Sequence, residues 1–190
     1  DVAVRTIDLE AAEQYFRAAF GGEVWEKGFQ FTALYNSGNT IRQTALEIIA
    51  ENLEFINPKF RMSVRGLPWA DYLSRTAERK APMFALGWAA DYADPSNFIN
   101  TFLDNDGYYS PRTAINLSEI QAIIDEADQI FDPAERAFLY REIGTLHYDQ
   151  VPLIAVPTQS PFMVVRDNVQ GTYYNPMYSG QFLWKDISKN

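Results

Sequence analysis

The chain has 190 residues, of which 47% are hydrophobic and 15% aromatic, so it can bury a core of its own as a single domain. Its 25 acidic and 16 basic side chains give a formal net charge of -9, which disfavours nucleic acid and anionic lipid as partners. Cysteine is absent, which excludes disulfides and thiol nucleophiles, and residue 1 is Asp rather than Met, so we expect a piece of a longer chain.

Helical and strand-like apolar spacing alternate along the first half of the chain, which predicts an α/β fold. In chain order, the predicted elements are a helix over 9–20 behind an Asp8 cap, a strand over 29–35, a helix capped by Thr40, a strand over 60–64, a helix opened by Pro68 and a buried strand over Met83–Trp88. Such an order implies parallel strands with right-handed crossovers. A ligand would then lie beyond the carboxyl ends of the strands, after Trp88.

The second half is predicted to be helical and then irregular. Apolar residues at helical spacing over 117–127 predict one helix, and Asp132, with a proline and an acidic residue behind it, is a strong cap for the next. The apolar, proline-containing run Val151–Pro157 favours a strand at a sheet edge. From Ser160 the chain becomes rich in Tyr, Phe and Trp but irregular, so we expect this tail to need another surface to pack on.

The most informative segment runs from Gly87 to Phe98, at the predicted mouth of the sheet. Asp94 precedes a proline and an apolar run, so it is predicted to cap the next helix. Asp91 has two open interpretations: its carboxylate accepts from backbone amides, or it binds the ammonium group of a ligand. Trp88 is likewise either a core residue or a lid over ligand.

The pattern Trp-x-x-Asp-Tyr-x-Asp-Pro over 88–95, following an apolar strand, resembles the family 5 solute-binding proteins of oligopeptide, dipeptide and nickel ABC importers. Three other stretches agree with that family in order and spacing. They are the entry helix over 9–21, the strand and helix over 29–53, and the segment that runs from 132–136 through Leu139 and Tyr140 to 151–154. The resemblance implies one lobe of a two-lobed periplasmic-binding-protein fold of type II, with a mixed, largely parallel sheet flanked by helices. It also implies a carboxy-terminal lobe over 1–159 and a tail over 160–190 that returns to the first lobe.

By the same resemblance, Gly87, Trp88 and Ala89 would pair through their main chain with an oligopeptide, and Asp91 would hold its α-amino group. The implied partners are this solute and the membrane permease of the importer. The implied location is periplasmic or extracellular, with lipid anchoring through an upstream segment. An oligosaccharide-binding member of the family and a protein-interaction fragment remain alternatives, and the isolated lobe is expected to self-associate through the tail.

Enzymatic and metal-binding interpretations are weaker. Asp91 and Asp94 would have to converge on one bond, and the only histidine, His147, is accompanied by no nucleophile motif. The acidic turn Asp104–Gly107 fails the spacing of a calcium loop in either register. We therefore expect a binding protein that is not an enzyme and that has no cofactor, catalytic residue or metal site.

Overall fold

The structure, a computed structural model, describes residues 6–156, 163–173 and 184–190. Its strands are β1 (Phe29–Asn36), β2 (Phe60–Leu67), β3 (Met83–Phe84), β4 (Val169–Gln170) and β5 (Ser188–Lys189). Its α-helices are α1 (Leu9–Ala18), α2 (Glu23–Lys27), α3 (Thr40–Ile56), α4 (Trp69–Ala77), α5 (Ser96–Leu103), α6 (Ser110–Thr113), α7 (Ser118–Ala127) and α8 (Pro133–Gln150). Short 3-10 turns lie at Ala19–Gly22 and Trp184–Asp186. None of the helices in these ranges is long and apolar enough to cross a membrane.

Three parallel strands in the order β2-β1-β3 form the main sheet. Phe29 lies opposite Phe60 and Asn36 opposite Leu67, so β1 and β2 are in register along their whole length. The helices α3 and α4 make the two crossovers, which brings the carboxyl ends of the strands to one edge. The α/β class and the parallel sheet predicted from the sequence are therefore confirmed.

The core has one layer on each face of this sheet and a third among the later helices. Ala33, Leu46 and Met62 are buried between the sheet and α3. On the opposite face, α4 covers a second buried group, which consists of Leu34, Leu67, Tyr72 and Ala81. Helices α5, α7 and α8 share a third, which consists of Leu103, Ile120, Ile124 and Ile143.

Several helix starts agree with the predicted capping pattern. The Asp8 carboxylate accepts from the Ala11 amide, and the Asp132 carboxylate accepts from the amides of Ala134 and Glu135. The cap of α3 was predicted one residue too late, because the Asn39 side chain, not that of Thr40, accepts from the Arg42 amide.

Two strand predictions need correction. The predicted strand over Met83–Trp88 pairs with β1 only at Met83 and Phe84, with one further bond from the Ala85 amide to the Leu34 carbonyl. Beyond that point the carbonyls of Ala85 and Gly87 accept from tyrosine hydroxyls and not from a neighbouring strand. Residues 151–156 of the predicted edge strand belong to neither sheet. Val151 takes a left-handed conformation (φ 47°) that ends α8, and Pro152 has no amide hydrogen to donate to a neighbouring strand. Pro157 lies outside the described residues.

The described part of the tail forms a small unit of its own. Strands β4 and β5 pair antiparallel, with Val169 opposite Lys189. The side chain of Asn168 donates to the Asn190 carbonyl, and Tyr173 and Trp184 are exposed. Three of the tail aromatics predicted to seek another surface, Tyr174, Tyr178 and Phe182, lie outside the described residues.

Candidate functional site

The 85–91 segment continues from β3 past the carboxyl edge of the sheet. Gly87, Ala89 and Asp91 are exposed, whereas Trp88 is half-buried. All four residues singled out from the sequence therefore lie on one stretch of chain, at the edge where ligands bind in open parallel sheets.

The buried side chain of Asn97, 5% exposed, holds this segment in place. Its Oδ1 atom accepts from the Trp88 indole Nε1 at 2.7 Å and from the Asp91 amide at 3.3 Å. Asn97 lies in the first turn of α5, so it connects the orientation of the tryptophan ring and the path of the backbone at Asp91 to a helix. This residue was not singled out from the sequence. The available signal was an Asx residue in the first turn of a helix predicted directly after the Asp94-Pro95 pair.

Aromatic rings support Trp88 from the other side. The Tyr108 ring centroid lies 5.8 Å from that of Trp88, and the Arg112 guanidinium lies 3.6 Å above the Tyr108 ring. The turn before Tyr108 requires glycine, because a β-carbon on Gly107 would lie 2.1 Å from the Asn100 carbonyl oxygen. Trp88 is thus neither a core residue nor free, since one part of its indole is fixed while another reaches the surface.

Two tyrosine hydroxyls hold alternate carbonyls of the segment. Tyr72 donates to the Ala85 carbonyl at 2.7 Å, and Tyr109 donates to the Gly87 carbonyl at 2.9 Å. Burial raises the pKa of Tyr109 to about 12 and raises that of Tyr72 as well, so both phenols keep their protons and remain donors at neutral pH.

Asp94 has a structural role, as the sequence predicted. Its carboxylate accepts from the Ser96 amide at 2.9 Å and pairs with the Arg136 guanidinium of α8 at 2.7 Å. The helix begins at Ser96 and its cap position is Pro95, so Asp94 lies one residue before the cap position that was predicted for it. The Ser96 amide, more than any other group, holds the pKa of Asp94 below its ordinary value, while burial opposes this and Arg136 adds to it. The Asp94 carboxylate is therefore bound to groups of the chain itself.

Arg42 lies beside Gly87 of the 85–91 segment, and the sequence analysis missed it. Its Nη1 atom donates to Asn36 Oδ1 at 2.6 Å, and its Nη2 atom would lie 3.3 Å from a β-carbon placed on Gly87. The signal in the sequence was a basic residue in the first turn of a predicted helix, where the helix dipole disfavours a positive charge.

The remaining polar groups of the described residues form no cluster suited to a metal ion. These residues contain no group of three or more His, Cys, Asp or Glu side chains that could hold a metal ion. The Asp104 carboxylate accepts from the Asp106 amide at 2.7 Å, as expected of a polar turn. His147 lies in α8, where burial lowers its pKa.

The profile of the bacterial extracellular solute-binding proteins, family 5 (middle region), matches residues 2–110, which is more than half of the chain. The chain belongs to this family. The family assignment made from the pattern around Trp88 and Asp91 is therefore confirmed, although the ligand roles of Gly87, Trp88, Ala89 and Asp91 stay predictions.

Individual family 5 proteins resemble the chain at low identity. Di/tripeptide-binding protein 4 of Pseudomonas aeruginosa is 27% identical over 164 residues, which cover 84% of this chain and 31% of that protein. Heme-binding protein A of Haemophilus influenzae is 27% identical over 170 residues, which cover 89% and 31%. The chain thus spans about a third of the length of the curated relatives it matches.

Among solved structures, a periplasmic oligopeptide-binding protein from Borrelia burgdorferi has a TM-score of 0.82. The match covers 100% of this chain and 38% of that one, with 18% sequence identity. This family 5 chain therefore has the fold of part of a periplasmic binding protein, as the sequence predicted.

Proposed function

We propose that this chain is one lobe of a solute-binding protein that captures short peptides for an ABC importer. The observation that carries the proposal is the 85–91 segment, which leaves the sheet at its carboxyl edge with Gly87 and Ala89 exposed. A di/tripeptide-binding protein of Pseudomonas aeruginosa and an oligopeptide-binding protein of Borrelia burgdorferi, both similar to this chain, support a peptide as the solute. The name of the Haemophilus influenzae relative keeps a different cargo, such as heme, as an outcome of the test.

Main-chain pairing at Gly87, Trp88 and Ala89 would supply affinity that does not depend on the peptide sequence. The exposed carboxylate of Asp91 would bind the α-amino group and so set the register of the peptide. Within the described ranges that carboxylate has no hydrogen bond or ion pair, while the Asp91 amide is held by Asn97. The charge is therefore available to a ligand and its position is defined.

The same arrangement supports a role in binding without catalysis. Asp94 is committed to the Ser96 amide and to Arg136, so it is not available to share acid and base work with Asp91. The whole protein would pass its solute to a membrane permease, from a periplasmic or extracellular position and with a lipid anchor upstream. An oligosaccharide ligand and a purely protein-binding role are the competing outcomes.

The proposed division is a lobe over 1–159 and a tail over 160–190 that returns toward the first lobe. In support, the described hydrogen bonds of β4 and β5 connect tail residues with each other, as between Asn168 and Asn190. Tail aromatics such as Trp184, 75% exposed, would gain from a second surface and would drive self-association of the isolated lobe. Sedimentation of the lobe with and without 160–190 tests this, and a monomer that loses its stability on truncation would contradict it.

Native mass spectrometry of the full-length protein that contains this chain tests the ligand class. Co-purified peptides are expected, whereas an oligosaccharide cargo or none would argue against the proposal.

Calorimetry with trialanine then tests Asp91. The substitution Asp91→Asn removes the charge and keeps the shape, so we expect a loss of about 1.5–3 kcal/mol in binding, the range for a hydrogen bond to a charged group.

Two controls make this measurement specific. N-acetyl-trialanine should lose a similar amount with the unmodified protein. The substitution Asp149→Asn, at the far end of α8 from Arg136 and on an exposed residue, should change neither affinity. Equal binding of free and acetylated peptide would remove Asp91 from the site.

A further inference from the structure

A basic cavity lies on the face of the main sheet that α4 covers. Its volume is about 300 Å³, and its lining, within the described residues, includes no part of the 85–91 segment. The lining residues come from β1, β2, α4 and the turn before β3, namely Thr32, Leu34, Arg65, Leu67, Arg75, Lys80 and Pro82. Three of these seven are basic and none of them is acidic, although the chain as a whole has 25 acidic and 16 basic side chains.

The length of α4 explains why this cavity is open. The nine residues of α4 span about 14 Å, whereas the eight residues of β1 span about 26 Å. The helix therefore covers only part of the face on which Leu34 and Leu67 pack against Tyr72. Arg65 lies opposite Leu34 in the register of β2 and β1, so its side chain is on this same face, and the residue is exposed.

The described part of the chain balances the charges around this cavity only in part. Lys80 pairs with the exposed Glu78 at 2.6 Å. Arg65 and Arg75 form no ion pair within the described residues. Two positive charges are thus left at one site, and their mutual repulsion favours the entry of an anion.

A comparison of two arginines on β2 singles out Arg65. Arg75 and Lys80 lie at or just beyond the carboxyl end of α4, where the helix dipole favours cations. Arg65 lies outside that helix, on an edge strand of the described sheet, where a charge discourages pairing with other chains. Arg61, on the same face of β2, has the same edge position but is paired with Glu54. The fold therefore neutralises Arg61 and leaves Arg65 facing a cavity with two other cations.

We propose that this cavity binds a phosphate-type oxyanion, with Arg65 and Arg75 as guanidinium donors and Lys80 as a further positive charge. The two charges that Glu78 leaves unbalanced match a dianion, and guanidinium groups bind phosphate oxygens through paired hydrogen bonds. The Thr32 hydroxyl supplies a neutral hydrogen-bonding group in the lining. Free phosphate and the phosphate of a lipid headgroup share this chemistry.

Calorimetry of the full-length protein with sodium phosphate, at an ionic strength held constant with sodium chloride, tests the site. One phosphate should bind. Arg65→Gln and Arg75→Gln should each weaken it by about tenfold or more, since each removes a hydrogen bond between charged groups. Lys80→Gln should weaken it less, because Glu78 already offsets that charge. Circular dichroism checks the fold of each variant, and the two arginines lie on different elements, so either variant alone can decide.

Arg61→Gln is the matched control. It removes the same charge from the same face of β2, but from a residue that pairs with Glu54 and is outside the lining. It should leave the affinity for phosphate unchanged. Equal losses in Arg61→Gln and Arg65→Gln would show that phosphate responds to net charge alone and would overturn the inference.

Vesicles distinguish the two sources of phosphate. The net charge of -9 disfavours an anionic membrane, so we expect free phosphate to bind and phosphatidylglycerol vesicles not to co-sediment with the protein. Vesicle binding that Arg65→Gln abolishes and Arg61→Gln keeps would support the same site with a lipid headgroup as its ligand. None of these measurements uses a peptide, so they stand whether or not peptide capture does. If neither phosphate nor the vesicles bind, the inference is overturned.

Discussion

Asn97 is the residue whose replacement tests the support of the site most directly. Asn97→Ala removes the acceptor of the 2.7 Å bond from Trp88 and of the longer 3.3 Å bond from Asp91. The Asp91 amide lies at the surface and can bind water, so most of the cost comes from the half-buried indole donor. With about 1–3 kcal/mol for a buried donor left without a partner, we expect a loss of that size in the free energy of unfolding.

A double-mutant cycle isolates the contact. Trp88→Phe removes the indole donor and keeps an aromatic ring, so it should make the further loss on Asn97→Ala smaller by about 0.5–1.5 kcal/mol. Urea unfolding of the full-length variants, followed by circular dichroism, measures all four corners. Asn52→Ala is the matched control, because its side chain makes one exposed bond to the Ile48 carbonyl. It should change stability by less than about 0.5 kcal/mol.

Binding gives a second measurement on the same variants. Since Asn97 positions Trp88 and the Asp91 backbone, Asn97→Ala should also weaken trialanine in calorimetry, and N-acetyl-trialanine should weaken less. If the losses of the two single variants simply add within about 0.3 kcal/mol, the hydrogen bond does not couple them and our reasoning about Asn97 is refuted.

Two further predictions concern the helical layer. Burial lowers the pKa of His147 below its ordinary 6.5, so as the pH falls the unfolded chain takes up a proton before the folded chain does. The free energy of unfolding should therefore drop from pH 7.5 to 5.5. His147→Gln should flatten this pH dependence in urea titrations. An unchanged slope would mean that other groups cause it. Ile143→Ala, at a residue only 1% exposed, should lower the free energy of unfolding by about 2–5 kcal/mol. Phe131→Ala, at a residue 96% exposed, should lower it by less than about 0.5 kcal/mol. Similar losses in the two variants would contradict the assigned core.

Elements with a long apolar period could be predicted from the sequence because burial acts on every turn or every second residue. The strand at Phe29 and the helix that starts at Ser118 are of this kind, whereas the helix that starts at Pro133 was predicted from its cap at Asp132. The end of β3 was not predictable in this way, since Ala85 and Leu86 are as apolar as Met83. Where the pairing stops, the hydroxyl of Tyr72 binds the Ala85 carbonyl, and the hydroxyl of Tyr109, 22 residues further along the chain, binds the Gly87 carbonyl.

The candidate site shows the same division. Residues on one continuous stretch, from Gly87 to Asp91, could be singled out from the sequence together with the family resemblance. Asn97 and Arg42 could not, because their importance depends on what the fold brings near them. An asparagine in a first turn is usually just a cap, and an arginine on a helix usually finds an acidic neighbour. That Arg42 has no such acidic neighbour among the described residues appears only in three dimensions.

The tyrosine hydroxyls on Ala85 and Gly87 have a consequence for the thermodynamics of the proposed ligand capture. A free strand that has lost its neighbour would normally be disordered, and ordering it costs about 1–2 kcal/mol of backbone entropy per residue. Here Tyr72 and Tyr109 hold two alternate carbonyls, those of Ala85 and Gly87, in place from inside the lobe. That entropy is lost when the protein folds and not when the ligand arrives, so the segment is preorganised and a larger share of each new hydrogen bond remains as affinity.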